Sequence, residues 1–423
     1  MDPRVPRPPM GATPRRLQRF TALLACLALA LGLLTTAATT GPAGASTAPR
    51  SGSFSVLTYN VAGLPLGLSS ANPEANTPAM GQRISAYDIV NVQEDFNYHA
   101  ALYAANSHPH RTATSGGVPF GDGLNTLSNF PFEDFQRVKW SSCNGTDCLT
   151  PKGWSLARVR LAEGVFVDVY NLHPNAGSTS ADLSARRSNI TQLSNAIATI
   201  STGNAVIVMG DTNTRYTRSG DNIRELMTHN GLTDAWVQST RGGAPPAIGS
   251  PALVCDDANV TDSCEVVDKI LYRGNRLIDL QLSHYANDNA LFRTADDQML
   301  SDHYPIAARF SWTLADGYAM SDRFGGPYGN AFTHIHQVSP TDAVRSVQLR
   351  SGNRIDQVGL TLANGTELRA GGNGGTLRSL TLAPGEYLSQ LTVSQGQVSG
   401  RTRIFSAHFL TNQGRSVSGG TVR

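Results

Sequence analysis

The chain repeatedly runs through a short apolar, β-branched stretch and ends it on a polar side chain. FSVLTYN closes on Asn60, DIVNVQE on Glu94, VDVYNLH on His173 and AVIVMGD on Asp211, and MLSDHYPI carries Ser301, Asp302 and His303. Runs this short and apolar read as buried strands. Polar residues at strand ends on one sheet edge are where α/β folds build their sites. Between the runs, Asp182 to Ile200 reads as a helix, with Leu183, Ile190, Leu193, Ile197 and Ile200 on one stripe, and Asn222 to Met227 as a shorter one. The expectation is a mixed α/β domain over residues 52–315.

Past Ser321 the helical period disappears. Val344–Leu349, Gln357–Leu362, Leu377–Leu382, Leu388–Val393 and Ile404–Leu410 alternate like strands, and Gly-rich turns separate them. Residues 321–423 therefore read as a second, all-β domain. Its last residues, Ser416–Arg423, look like Gly-rich turn without a closing strand.

Residues 1–45 read as an export signal. Arg15, Arg16 and Arg19 precede an Ala/Leu stretch from Thr21 to Leu34, and Ala43-Gly44-Ala45 offers a small-residue cleavage site. The stretch is shorter than the ~20 residues a membrane span needs. The implied localisation is secreted. Removing these residues, with five arginines and one aspartate, turns a formal charge of +2 into about −2. A near-neutral body argues against holding nucleic acid by bulk charge. Export also favours disulfides for the four remaining cysteines. Of three connectivities, local pairing of Cys143 with Cys148 and Cys255 with Cys264 is the simplest.

Singly, each polar strand end has an ordinary structural reading: Asp211-Thr212-Asn213 as an Asx turn, Glu94 as a solvated carboxylate, Asp268 beside Lys269 as an ion pair. Together they form an inventory for phosphorus chemistry. Glu94 and Asn60 offer hard oxygen ligands for Mg²⁺, or for Mn²⁺ or Ca²⁺. Asp211 and Asn213 alternate toward one pocket. His303 can take a proton from water, oriented by Asp302 or Asp268, while His173 can donate to a phosphate oxygen or a leaving group.

The order Asn60, Glu94, His173, Asp211-x-Asn213, Asp268, Ser301-Asp302-His303 resembles the endonuclease/exonuclease/phosphatase (DNase I-like) superfamily. The resemblance implies a four-layer α/β sandwich, Glu94 as principal metal ligand with Asn60 assisting, and His303 as general base. It further implies that Asp211 and Asn213 position water and phosphate. Lys152-Gly153 before WSLARVRL, and His173 followed by a helix bearing Arg187 and Gln192, resemble secreted neutral sphingomyelinases within it. Pro174-Asn175 stand where those enzymes carry Leu-Gln. The expected partner is a phospholipid membrane surface, reached through apolar loops such as Leu64-Pro65-Leu66 and Val118-Pro119-Phe120. Alternatives are a secreted DNase I-like endonuclease, a phosphomonoesterase or lipid headgroup phosphatase, and a glycan-binding lectin with a relict catalytic domain; DNA is the less favoured partner.

FGGPYG, then SGNRID, GEY and TNQGR, resemble jacalin-like lectin domains in the same order. This implies a β-prism of three four-stranded sheets and a glycan partner, with Gly325 or Gly326 at the sugar site. The chain stops before the Gly-x-x-x-Asp loop of sugar-binding members, so the prism is expected to be incomplete.

Overall fold

The computed structural model describes residues 49–326 and 332–422. The export-signal reading of residues 1–45 lies outside them. In the first part, β1 (Ser51–Asn60), α1 (Pro73–Ile84), β2 (Ile89–Gln93), α2 (His99–Ala105), β3 (His110–Arg111) and β4 (Asn125–Ser128) come first. They are followed by β5 (Phe132–Lys139), β6 (Gly153–Ala162), β7 (Val165–Leu172), α3 (Ser180–Ile200) and β8 (Ala205–Asp211). Then come α4 (Ile223–Asn230), β9 (Thr233–Asp234), α5 (Ala235–Arg241), β10 (Asp268–Arg273), β11 (Ile278–Asn287) and β12 (Ile306–Leu314).

The strands form two six-stranded sheets, ordered β11-β12-β1-β2-β4-β3 and β5-β6-β7-β8-β10-β9. Each has a parallel pair at its heart, β1 with β2 and β7 with β8, and their polar ends emerge on the same edge. Alternation along β1 builds the layers. Phe54 and Val56 join a core shared with the second sheet, whereas Leu57 and Tyr59 join Met80, Ile84 and Leu102 of α1 and α2. On the far side Ile190, Leu193 and Ile197 of α3 pack on β7 and β8. The order is helix, sheet, sheet, helix: the expected DNase I-like four-layer sandwich. Each fully buried aliphatic side chain contributes about 1.5–3 kcal/mol.

The sheets are not purely apolar where they meet. Asn91 Nδ2 donates to the Tyr170 and Met209 carbonyls of the opposite sheet, and Asn171 Nδ2 to those of Val92 and Asn125. Gln93 donates to Asn171 Oδ1 at 2.8 Å. These buried amides fix how one strand pair sits over the other, because a slip would leave them unsatisfied.

Disulfides join Cys143 to Cys148 and Cys255 to Cys264, the local pairing. The second part contains β13 (Val344–Ser351), β14 (Ile355–Leu362), β15 (Glu367–Gly371), β16 (Thr376–Thr381), β17 (Leu388–Val398), β18 (Arg401–Thr411) and β19 (Ser416–Gly420). Among the described residues these make one four-stranded and one three-stranded sheet, where the resemblance implied three of four strands. The expected C-terminal turn is in fact strand β19, paired with β18. Its glycines belong to the pairing: a Cβ on Gly420 would sit 1.8 Å from the Phe405 carbonyl oxygen.

Candidate active site

The ends of β1, β2, β7, β8 and β10 and the loop before β12 converge at the open edge of the sandwich. Asn60 closes β1 and is fully buried. Its Nδ2 donates to Glu94 Oε1 at 3.3 Å and to Asp211 Oδ2 at 3.2 Å, while its Oδ1 accepts from the Ala62 N–H. Asn60 was expected to offer an oxygen to a metal. The Ala62 N–H already donates to that oxygen, which keeps a second lone pair, while Nδ2 holds the two carboxylates together.

Glu94 follows β2 with φ of 55°, and Asn213 follows β8 with φ of 51°. Left-handed backbone is unfavourable for a glutamate and persists where the surroundings impose it. The Gly63 and Phe96 amides both donate to the Glu94 carbonyl and do so here. Asn213 tolerates the conformation better. Its N–H donates to Asp211 Oδ1 and its Nδ2 to the Pro174 carbonyl.

Asp268 stands opposite Asp211 in the β8–β10 register, and its Oδ2 lies 3.0 Å from His303 Nδ1. His303 Nε2 then faces Asp211 Oδ2 at 3.7 Å. Of the two orienting carboxylates the sequence offered, Asp268 is the one bonded to the imidazole. Asp302 bonds the Ser70 hydroxyl, and Ser301 ties this loop to β1 through the Asn60 carbonyl. Burial would discourage charge on His303, but Asp268 and Asp211 outweigh it and raise its pKa well above the usual histidine range.

His173 is the opposite case. Burial, with Lys152 and His303 nearby, holds it well below that range, so it is neutral at pH 7. Its Nε2 lies 3.3 Å from Asp211 Oδ2 and 3.2 Å from Lys152 Nζ, while its buried Nδ1 meets no partner. Lys152 also bonds Asp147, which sits inside the Cys143–Cys148 loop. The sequence marked Lys152 only as part of a Lys-Gly element and did not mark Asp147; a charged pair five residues apart beside a short disulfide loop was the available signal.

Arg187 and Gln192 do not face the site. Arg187 bonds the Gly220 carbonyl, and Gln192 bridges Lys139 and Ser141. The neighbouring Arg186 is fully buried instead; it bonds Asp221 and the carbonyls of Asn175 and Gly177, and so fixes the turn after His173. Three residues after Leu183 and four before Ile190, Arg186 lies on the apolar stripe of α3, and that position was its signal.

The donor set suits a divalent cation. Glu94 and Asp211 converge on one Asn60 amide, and burial raises the pKa of both. Asp268 Oδ1 is buried without a partner. One oxygen or nitrogen each from Asp211, Asp268 and His303 falls within 4.8 Å of the others. Crowded, half-desolvated carboxylates are unfavourable unless a cation or proton joins them.

Residues 76–238 match the family model Endonuclease/Exonuclease/phosphatase family 2, and residues 321–422 match the Jacalin-like lectin domain. Sphingomyelinases of Mycobacterium bovis and Mycobacterium tuberculosis are 40% identical to the chain over 279 residues, which is 64% of this chain and 55% of each relative. The chain thus spans about half the length of the curated relatives it matches. Among solved structures, sphingomyelinase C from Streptomyces griseocarneus aligns at 19% identity with a TM-score of 0.42, covering 61% of this chain and 99% of that one.

Proposed function

We propose that this chain, an endonuclease/exonuclease/phosphatase-type domain joined to a jacalin-like domain, is a metal-dependent phosphodiesterase of the sphingomyelinase C type. The observation that carries the chemistry is the Asn60-bridged pair Glu94 and Asp211 beside the His303–Asp268 pair. The relatives at 40% identity support the substrate class.

Glu94 and Asp211 would hold Mg²⁺ or a similar ion, which when bound polarises a phosphoryl oxygen and offsets charge as it develops. With the Asp211 charge taken up by that ion, His303 would lose part of what holds its second proton, and its neutral Nε2 would take the proton of the attacking water while Asp268 accepts from Nδ1–H. The new bond joins the water oxygen to phosphorus, and the bond from phosphorus to the lipid alkoxide oxygen breaks. Asn213 orients the phosphate. Lys152 and neutral His173 would donate to the phosphate, and Lys152 would give the departing alkoxide oxygen its proton as charge builds there.

Exposed apolar side chains favour a lipid over a nucleic acid. Leu66, Leu68, Phe120 and Leu149 are 62%, 70%, 81% and 65% exposed. They stand on loops adjoining Asn60, Glu94 and Lys152. A polyanionic substrate would call for cations there; a bilayer suits apolar side chains around the mouth. The two disulfides support an oxidising, extracellular setting. In this reading the C-terminal domain retains glycans, with Gly325 and Gly326 contributing backbone.

The test is a side-by-side assay of the protein with sphingomyelin vesicles, phosphatidylcholine vesicles and plasmid DNA. Phosphocholine release from sphingomyelin, abolished by EDTA and by His303→Ala, is expected. Full activity in EDTA, or rapid nicking of DNA with inert vesicles, overturns the reading.

A further inference from the structure

The C-terminal part has a charge character of its own. Residues 321–423 contain ten arginines, no lysine and five acidic residues, so this part is basic while the rest of the exported chain is acidic. The arginines are unevenly placed. Arg350 and Arg354 flank the β13–β14 turn, Arg378 reaches that turn through Ser351 Oγ at 2.9 Å, and Arg401 and Arg403 open β18. Arg354 pairs with Asp356, Arg369 with Glu367 and Arg415 with Glu386.

At this pole the β13–β14 and β17–β18 turns enclose a cleft of about 620 Å³. Arg354, Arg401 and Arg403 line it with Asn353, and Asp356 is the acidic residue on its wall, 3.3 Å from Arg354. Arg401 and Arg403 are two apart on a strand, so both project to one face. Gly325 packs on Ile404, which projects to the other face of β18, so the arginine cleft is separate from the expected sugar position.

Apolar side chains stand beside the arginines. Val398 at the β17–β18 hairpin and Leu377 at the start of β16 are each 47% exposed. A soluble anion offers these nothing, whereas a bilayer surface offers phosphate to the arginines and a headgroup–acyl boundary to the valine and leucine. Guanidinium groups take phosphate oxygens in a bidentate fork. We infer that this pole of the C-terminal domain is a docking surface for anionic phospholipid, with the arginine cleft taking the lipid phosphate. The acidic catalytic part would then reach a negatively charged membrane through its basic neighbour.

The inference does not require the proposed hydrolysis, and its test avoids it. The protein is sedimented in EDTA with vesicles of phosphatidylcholine alone, or of phosphatidylcholine mixed with phosphatidylglycerol, all free of sphingomyelin. Binding is expected to rise with phosphatidylglycerol and to fall as salt increases. The pair Arg354→Gln/Arg401→Gln should weaken it roughly 25-fold, from about fivefold per arginine near an anionic surface. Arg345→Gln/Arg369→Gln removes the same charge elsewhere and should leave binding nearly unchanged. Binding indifferent to phosphatidylglycerol, equal loss in both variants, or capture by heparin with none by vesicles overturns the inference.

Discussion

Asp268 Oδ2 and His303 Nδ1 lie 3.0 Å apart, and the bond between them decides which imidazole nitrogen is left for chemistry. Because Asp268 accepts at Nδ1, Nε2 is the atom turned toward Asp211. Asp268→Asn leaves a side chain of the same size but removes the charge and weakens the preference for that tautomer. The expected loss is roughly 10²- to 10⁴-fold in kcat with KM little changed. Steady-state kinetics on sphingomyelin in mixed micelles checks it; a loss confined to KM would contradict the orienting role.

Asn60 binds no substrate in the proposed mechanism, yet its amide joins Glu94 to Asp211. Asn60→Ala frees both carboxylates to move apart and leaves a buried gap. Groups that orient metal ligands typically affect affinity by about 10–100-fold. The divalent concentration for half-maximal activity should rise by that factor, and saturating metal should restore much of the rate. A metal titration of both proteins gives the answer, and an unchanged midpoint would remove Asn60 from the metal argument.

Asp182 gives the fold a predictable acid sensitivity. Hydrogen bonds from Asn144, from the Thr179 side chain and backbone, and from Asn175 hold its pKa at about 2. An aspartate in the unfolded chain titrates near about 3.9. The folded form is thus favoured above the unfolded value, and the advantage is lost as pH falls toward about 2. Asp182→Asn should lower the melting temperature at pH 5–7 (roughly the plateau of that advantage) and converge with the parent protein near pH 2. A constant difference across the whole range would mean that the carboxylate charge is irrelevant.

Arg186 and Asp221 are both fully buried, 2.8 Å apart. Arg186→Met leaves Asp221 paired with Arg218 across a longer contact and releases the carbonyls after His173. Breaking one side of a buried pair costs about 3–5 kcal/mol. Denaturant unfolding should show a loss of that order, and Arg186→Met/Asp221→Leu should recover part of it. Full stability in the single variant would show the pair to be dispensable.

The residues that were legible in the sequence share a physical reason. Asn60, Glu94, His173 and Asp211 follow apolar runs, so the strand pattern itself fixes where each emerges. Lys152 and Asp147 were harder because their pairing depends on a disulfide loop folding back, which periodicity does not report. Helix α1 carries Pro73 and Pro78 and a weak apolar stripe; its stability comes from packing against β1 and α2. Strand β19 was hidden by Gly419 and Gly420, which read as turn until the closeness of Ser351 and Phe405 explains them. Sequence places what alternates along one strand, and misses what only two distant segments define together.

The apolar loops around the site make the last prediction. Phe120 and Leu68 are the most exposed large apolar side chains beside Glu94 and Asn60, at 81% and 70%. Neither is among the buried side chains of the fold, so Leu68→Ser/Phe120→Ser should leave the melting temperature close to that of the parent. Transferring one such side chain from water to an apolar phase is worth about 1.5–3 kcal/mol. Losing two should weaken partition onto sphingomyelin vesicles by at least about tenfold. Hydrolysis of a water-soluble phosphocholine diester should hold, because the catalytic groups are untouched. Equal loss on the soluble and vesicle substrates would place these loops in the chemistry, and no loss on either would remove the bilayer from the argument.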